Sequence, residues 1–126
     1  MAAKLPVTNL SDNAIRRIQK SKGVIGIIFY KLWLQTGPDD VRGDIQLITD
    51  VIDYIHRITN CFDHIAIGSD LDGFIEPIEI CSNYSKMSSI VDPIVCRYGQ
   101  VAAEKILYRN ALRVLHQGWA GVPDRG

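Results

Sequence analysis

The sequence lacks three things that would place it in a class at once: paired cysteines, an excess of charge of one sign, and a long apolar run. Its three cysteines, Cys61, Cys81 and Cys96, are odd in number and show no CxxC spacing, so neither a disulfide framework nor a cysteine zinc site is encoded. Reduced thiols and a cytoplasmic location are the default expectation. Fourteen Lys and Arg balance fourteen Asp and Glu, and no strong field draws the chain to nucleic acid or to an anionic membrane. The basic cluster Arg16, Arg17, Lys20 and Lys22 reads as the solvated face of a helix whose Ile15 and Ile18 turn inward. The longest apolar or aromatic run, Val24 to Tyr30, is far too short to span a bilayer, and the N-terminus shows no signal-peptide core. Nucleic acid, membrane and secretion are therefore all unsupported.

What is present is a globular composition: 47% hydrophobic residues in 126, enough for one domain, or a piece of one, with a modest core. Ser11 is placed to cap a helix through about Ser21, with Ala14, Ile15 and Ile18 inward and Gly23 as its stop. Val24 to Phe29 is continuous and β-branched, as a strand covered on both faces in a parallel sheet would be. Val41, Ile45, Ile48, Ile52, Ile55 and Ile58 recur at three and four residues and predict one long helix from about Asp40 to Thr59. A second strand comes next, so helix and strand alternate and the two strands should be parallel neighbours. Gly73 to Lys86 reads as a long surface loop. A helix from about Ser88 to Tyr98 is then expected, with Pro93 either kinking it or marking its first turn, and Gly99 ending it. Two short helices, Gln100 to Tyr108 and Ala111 to Gln117, complete the pattern, with Asn110 capping the second. Residues 118–126 read as a loosely ordered tail to a unit spanning 1–117.

The second strand carries the most informative residues. His64 to Ile67 is short and apolar and stops at Gly68-Ser69, so Asp70 stands where the chain leaves the sheet and Asp72-Gly73 turns it away. Catalytic groups of parallel α/β folds stand at that end of the strand, and a carboxylate there suits acid/base or metal chemistry. A carboxylate that merely shapes the adjoining turn is the plain alternative. The three histidines do not help Asp70. His64 is at the other end of its strand, about 20 Å away at ~3.3 Å per residue, and His56 and His116 read as ordinary helix-surface residues.

Four blocks in this order, Asn9-Leu10-Ser11-Asp12, Gly23-Val24-Ile25-Gly26-Ile27, Asp63 through Gly73, and Asn110 through Leu115, resemble the C-terminal part of the renal (membrane) dipeptidase family, zinc metallopeptidases of the amidohydrolase superfamily. The resemblance runs from about Asn9 to Leu115, and Gly68-Ser69-Asp70-Leu71-Asp72-Gly73 is its most specific part. It implies an α/β fold that is the C-terminal fragment of a (β/α)8 TIM-type barrel, with Val24 to Phe29 as the seventh strand and His64 to Ser69 as the eighth. Two parallel strands and four or five helices are expected. It also implies that Asp70 matches the catalytic aspartate, which in the family serves a hydroxide bridging two zinc ions and passes its proton to the leaving amine of a dipeptide.

The departures from the family are specific. Its His-x-Asp pair, bridging glutamate and two further histidines have no counterpart here, and the arginine that holds the substrate carboxylate falls at Thr8. No metal-binding and no substrate-binding residue is therefore assigned, and the chain alone is expected to hold no zinc and to hydrolyse no dipeptide. A whole barrel needs roughly 250 residues. A non-catalytic module that self-associates or joins a complementary barrel half, or a truncated gene product, is the alternative.

Asp70-Leu71-Asp72-Gly73 also resembles the nucleophile motif of haloacid-dehalogenase-type phosphatases, but Phe74 stands where that motif has threonine. Asp70, Asp72, Gly73 and Glu79 also fall at EF-hand loop positions, although Gly68 offers no ligand at the first and the preceding segment reads as a strand.

Overall fold

Ser11 starts the first helix as its chemistry predicts. Its hydroxyl accepts a hydrogen bond from the Ala14 amide at 3.3 Å at the head of α1 (Asp12–Lys20). The computed structural model describes residues 10–120. Thr8, Asn9 and residues 121–126 lie outside the described residues. The helix ends differently from expectation: Lys22, at φ 59°, takes the left-handed position. Gly23 instead lets the chain pass the helix closely, since a Cβ there would lie 3.2 Å from Ile18 Cγ2.

The next element is the strand β1 (Ile25–Ile28), which pairs in parallel with β2 (Ile65–Ser69). Ile25 stands opposite Ile65, Gly26 opposite Ala66 and Ile27 opposite Ile67, after which the register slips and Ile28 meets Ser69. Gly68 is the extra residue of that bulge. Because side chains alternate along a strand, Ile25, Ile27 and Phe29 project to one face with Ile65 and Ile67. That face is the core side: Ile27, Phe29 and Ile65 are all buried. Gly26 and Gly68 lie on the other face and are exposed while Ala66, opposite Gly26, is buried, so that face is only partly covered among the described residues.

Between the strands come a short helix α2 (Lys31–Leu34) and the long helix α3 (Asp44–Thr59). The long helix starts later than the hydrophobic spacing suggested, and Val41 is 97% exposed rather than on its inner face. The cause is Asp40. Its carboxylate accepts the Thr36 amide at 2.9 Å, the Arg42 amide at 3.1 Å and the Arg42 guanidinium, which holds the preceding segment in a loop. Arg42 also reaches Asp50 at 2.7 Å and the Leu34 carbonyl at 3.0 Å. From Asp44 onward the pattern holds, and Leu47, Ile48, Val51, Ile52 and Ile55 are buried against the sheet. Each such side chain contributes about 1.5–3 kcal/mol of burial. Asn60, at φ 59°, closes the helix in the left-handed conformation that asparagine tolerates.

After β2 the chain runs through irregular backbone with two 3-10 segments, Glu79–Cys81 and Tyr84–Ile90, before α4 (Val91–Tyr98). Pro93 lies in the first turn of α4, where its missing amide costs nothing, and Gly99 (φ 83°) ends the helix. The two short helices expected next are one rod: α5 (Gln100–Glu104), a π-helical turn (Lys105–Arg109) and α6 (Asn110–Ala120). Residues 118–120 are thus helical rather than tail. With the rod counted once, five helices accompany the two parallel strands among the described residues.

Asn110 does not cap a helix, because its backbone is itself helical (φ −66°, ψ −44°). Its side chain is buried at 4% exposure and donates to the carbonyls of Phe62 at 2.6 Å and Ile65 at 2.9 Å. One turn on, Arg113 donates to the carbonyls of Lys22 at 2.8 Å and Asp63 at 2.7 Å. The rod therefore clips the N-terminal ends of both strands together.

Candidate active site

The C-terminal end of the sheet is shaped by a run of left-handed residues. Ser69 (φ 50°), Asp70 (φ 61°), Asp72 (φ 66°) and Phe74 (φ 59°) all take positive φ, at a cost of order 1–3 kcal/mol for each residue that does not favour it. Such clusters concentrate where side chains are aimed for function. The bulge at Gly68 adds to this, since an extra residue in one strand re-aims the side chains beyond it. Asp70 leaves the strand with its amide donating to the Gly68 carbonyl at 2.7 Å, and its own carbonyl accepts the Gly73 amide at 3.1 Å. The expected turn at Asp72-Gly73 is therefore present. Gly73 is required for space: a Cβ there would lie 2.3 Å from Asp70 Oδ1 and 2.9 Å from its Cγ.

Asp70 is exposed, not buried, and among the described residues its carboxylate accepts no hydrogen bond. It stands free at the strand end. The chain then crosses to β1, where the Lys31 amide donates to the Glu76 carbonyl at 3.0 Å and the Ile78 amide to the Phe29 carbonyl at 3.0 Å. Tyr30 and Pro77 form an isolated antiparallel bridge. This return brings Tyr30, Lys31 and Glu76 to the same end of the sheet as Asp70. Sequence reasoning missed all three; the available signal was that Tyr30 and Lys31 directly succeed a strand. Tyr30 also packs edge-on against Trp33, with ring centroids 5.5 Å apart.

The histidines are elsewhere. His64 sits at the N-terminal end of β2 with its Nδ1 2.8 Å from the Gly23 carbonyl, and it is 7% exposed. His56 is not a plain surface residue, since its ring stacks on Phe62 at 4.2 Å. His116 is exposed on α6. Among the described residues no three His, Cys, Asp or Glu side chains are gathered where one ion could be held. The donor set does not fit a zinc centre, which needs three or four N, O or S ligands per ion, and no step through zinc is derived for this chain. The calcium-hand alternative fails on geometry, because β2 rather than a helix leads into Asp70.

Comparison with known proteins places this arrangement. The family model described as "Membrane dipeptidase (Peptidase family M19)" matches residues 2–120. A Klebsiella pneumoniae protein known as "Uncharacterized protein in pqqA 5'region" is 32% identical over 114 residues, covering 88% of this chain and 41% of that protein. Dipeptidase tcpJ of Claviceps purpurea is 30% identical over 114 residues, covering 88% of this chain and 26% of that protein. The crystal structure of a metallopeptidase of family M19, dipeptidase AC, superposes with a TM-score of 0.78 at 20% identity, over 90% of this chain and 33% of that one. The chain thus spans well under half the length of these relatives, and its α/β fold is a part of the larger dipeptidase fold. This chain belongs to the membrane dipeptidase family, peptidase family M19.

Proposed function

We propose that this chain supplies the C-terminal portion of a dipeptide-hydrolysing barrel and that Asp70 is its proton-transfer group. In this reading a water attacks the peptide carbonyl, Asp70 accepts its proton, and the same carboxyl returns the proton to the leaving amine as the C–N bond breaks. The observation that carries the reading is the position of Asp70. A free carboxylate, held at the C-terminal end of β2 by a bulge and left-handed turn, belongs to a chain of a dipeptidase family. Such a carboxylate, exposed and free of hydrogen bonds among the described residues, is open to an incoming water.

The groups that polarise the carbonyl and ionise the water are supplied by residues other than those of this sequence, zinc ligands among them. The chain alone therefore hydrolyses no dipeptide and retains no stoichiometric zinc. A dipeptide is the substrate only once a complementary barrel portion is present, and the open edges of β1 and β2 are where that portion would pair.

The experiment supplies the missing portion as a second polypeptide and compares wild type with Asp70→Asn and Asp72→Asn. Asp70→Asn should lower turnover by roughly two to four orders of magnitude, with a much smaller loss from Asp72→Asn. Equal losses from both, or activity and bound zinc in the chain alone, would overturn the assignment.

A further inference from the structure

A large groove lies at the opposite end of the sheet from Asp70. It is an open groove of about 760 Å³ between the α1–β1 turn, the start of β2 and the helical rod, within the size of small-molecule sites. Its charge is one-sided. Lys22, Lys105, Arg109 and Arg113 line it, against the single lining carboxylate of Asp63. Lys105 pairs with Asp63 at 2.7 Å, and Arg109 pairs with Glu104 at 2.7 Å from outside the lining. Arg113 spends its hydrogen bonds on two backbone carbonyls, so it shares the Asp63 carboxylate with Lys105 only through space. An excess of cations persists with Glu104 counted, in a chain whose net charge is zero.

Two further observations point into the groove. His64 is 7% exposed, and its Nδ1 is occupied by the Gly23 carbonyl. No hydrogen bond reaches its Nε2 among the described residues. No buried side-chain nitrogen or oxygen among them is without a partner, so Nε2 is open to the groove. Beside the cations, Tyr108 and Leu112 remain 46% and 47% exposed on the groove wall. An apolar wall next to clustered cations suits a ligand with an anionic head and a flat or apolar body.

We propose that this groove binds a phosphorylated small molecule of nucleotide size, its phosphates over Lys22, Lys105 and Arg109 and its base or other body against Tyr108 and Leu112. A monocarboxylate carries too little charge to match the cluster, whereas a diphosphate ester matches it. The site is independent of the dipeptidase reading, being a strand's length from Asp70.

Equilibrium dialysis of the full chain tests this at low ionic strength with adenosine diphosphate, inorganic pyrophosphate and adenosine as probes. Adenosine diphosphate should bind saturably at one per chain, and pyrophosphate more weakly. Lys22→Gly, which suits the left-handed backbone there, and Arg109→Gln, which changes an exposed side chain, should each weaken binding roughly tenfold. Lys86→Gln, which removes a cation outside the groove lining, should leave it unchanged. Absence of saturation, adenosine binding as well as its diphosphate, or an equal loss from Lys86→Gln would overturn the proposal.

Discussion

Asn110 donates from its side-chain amide to the backbone carbonyl of Ile65 at 2.9 Å, tying the middle of the last helical rod to the first residue of β2. The same amide reaches Phe62 at 2.6 Å, so one buried side chain satisfies two carbonyls at the start of the strand. Asn110→Ala would leave them short of partners in the interior, and a buried polar group without a partner costs about 1–3 kcal/mol. We expect a loss of that size in urea unfolding, with Asn110→Asp at least as damaging because a carboxylate cannot donate. A loss below about 0.5 kcal/mol would mean that water replaces the amide.

Gly26 and Gly68 meet across the two strands. A Cβ on Gly68 would lie 3.1 Å from the Gly26 carbonyl carbon, and one on Gly26 would lie 3.2 Å from Gly68 Cα. Both obstacles are backbone, so neither can rotate away. Gly68→Ala and Gly26→Ala should each destabilise by about 1–3 kcal/mol through local overpacking. Gly118→Ala, where an added Cβ meets nothing within 4 Å, should be neutral or stabilising in its helix. Chemical denaturation of the three variants gives the comparison; similar behaviour of all three would contradict the close approach.

The Arg42 guanidinium beside Asp40 holds its carboxyl far below the usual aspartate range, against the opposing effect of burial. A carboxyl whose value is lowered by folding binds its proton more readily when unfolded, so stability rises with pH wherever the unfolded state carries the extra proton. The contribution is complete above the ordinary aspartate value of about 3.9. It is lost as pH falls from there through the lowered folded value. Wild type should therefore lose stability steeply below about pH 4, and Asp40→Asn should be less stable at pH 7 with a shallower acid slope. Thermal unfolding of both proteins between neutral and strongly acid pH measures this, and parallel curves would show that Asp40 contributes nothing to the acid slope.

The open sheet edges predict association. An apolar pocket of about 250 Å³ flanks β1, lined by Leu10, Ile25, Ile27, Ile28, Leu34 and Val51. A second of about 510 Å³ involves Ile67 of β2 with Met87, Ile90, Val95 and Leu107. An edge strand offers unpaired peptide groups as well as apolar surface. The purified chain should show a mass by light scattering that rises with concentration. A monomer at every concentration, unfolding in one sharp transition, would show that the two strands need no partner.

What the sequence by itself determined was local. The β-branched runs specified both strands, the spacing from Ile45 to Ile58 specified α3, Ser11 began α1, and the Gly68 to Gly73 run put Asp70 at a strand end. Each of these depends on neighbours within a few residues, where propensity and spacing act directly. Tertiary structure decided the rest. Asp40 reads as a helix start until Arg42 and the Thr36 amide gather around it, and Asn110 reads as a cap until its partners prove to be Phe62 and Ile65. The cationic groove likewise joins Lys22, His64 and the Lys105 to Arg113 stretch, residues far apart along the chain. No local pattern marks such a meeting, because a polar side chain's partner is set by which buried backbone groups the packed helices leave short of hydrogen bonds.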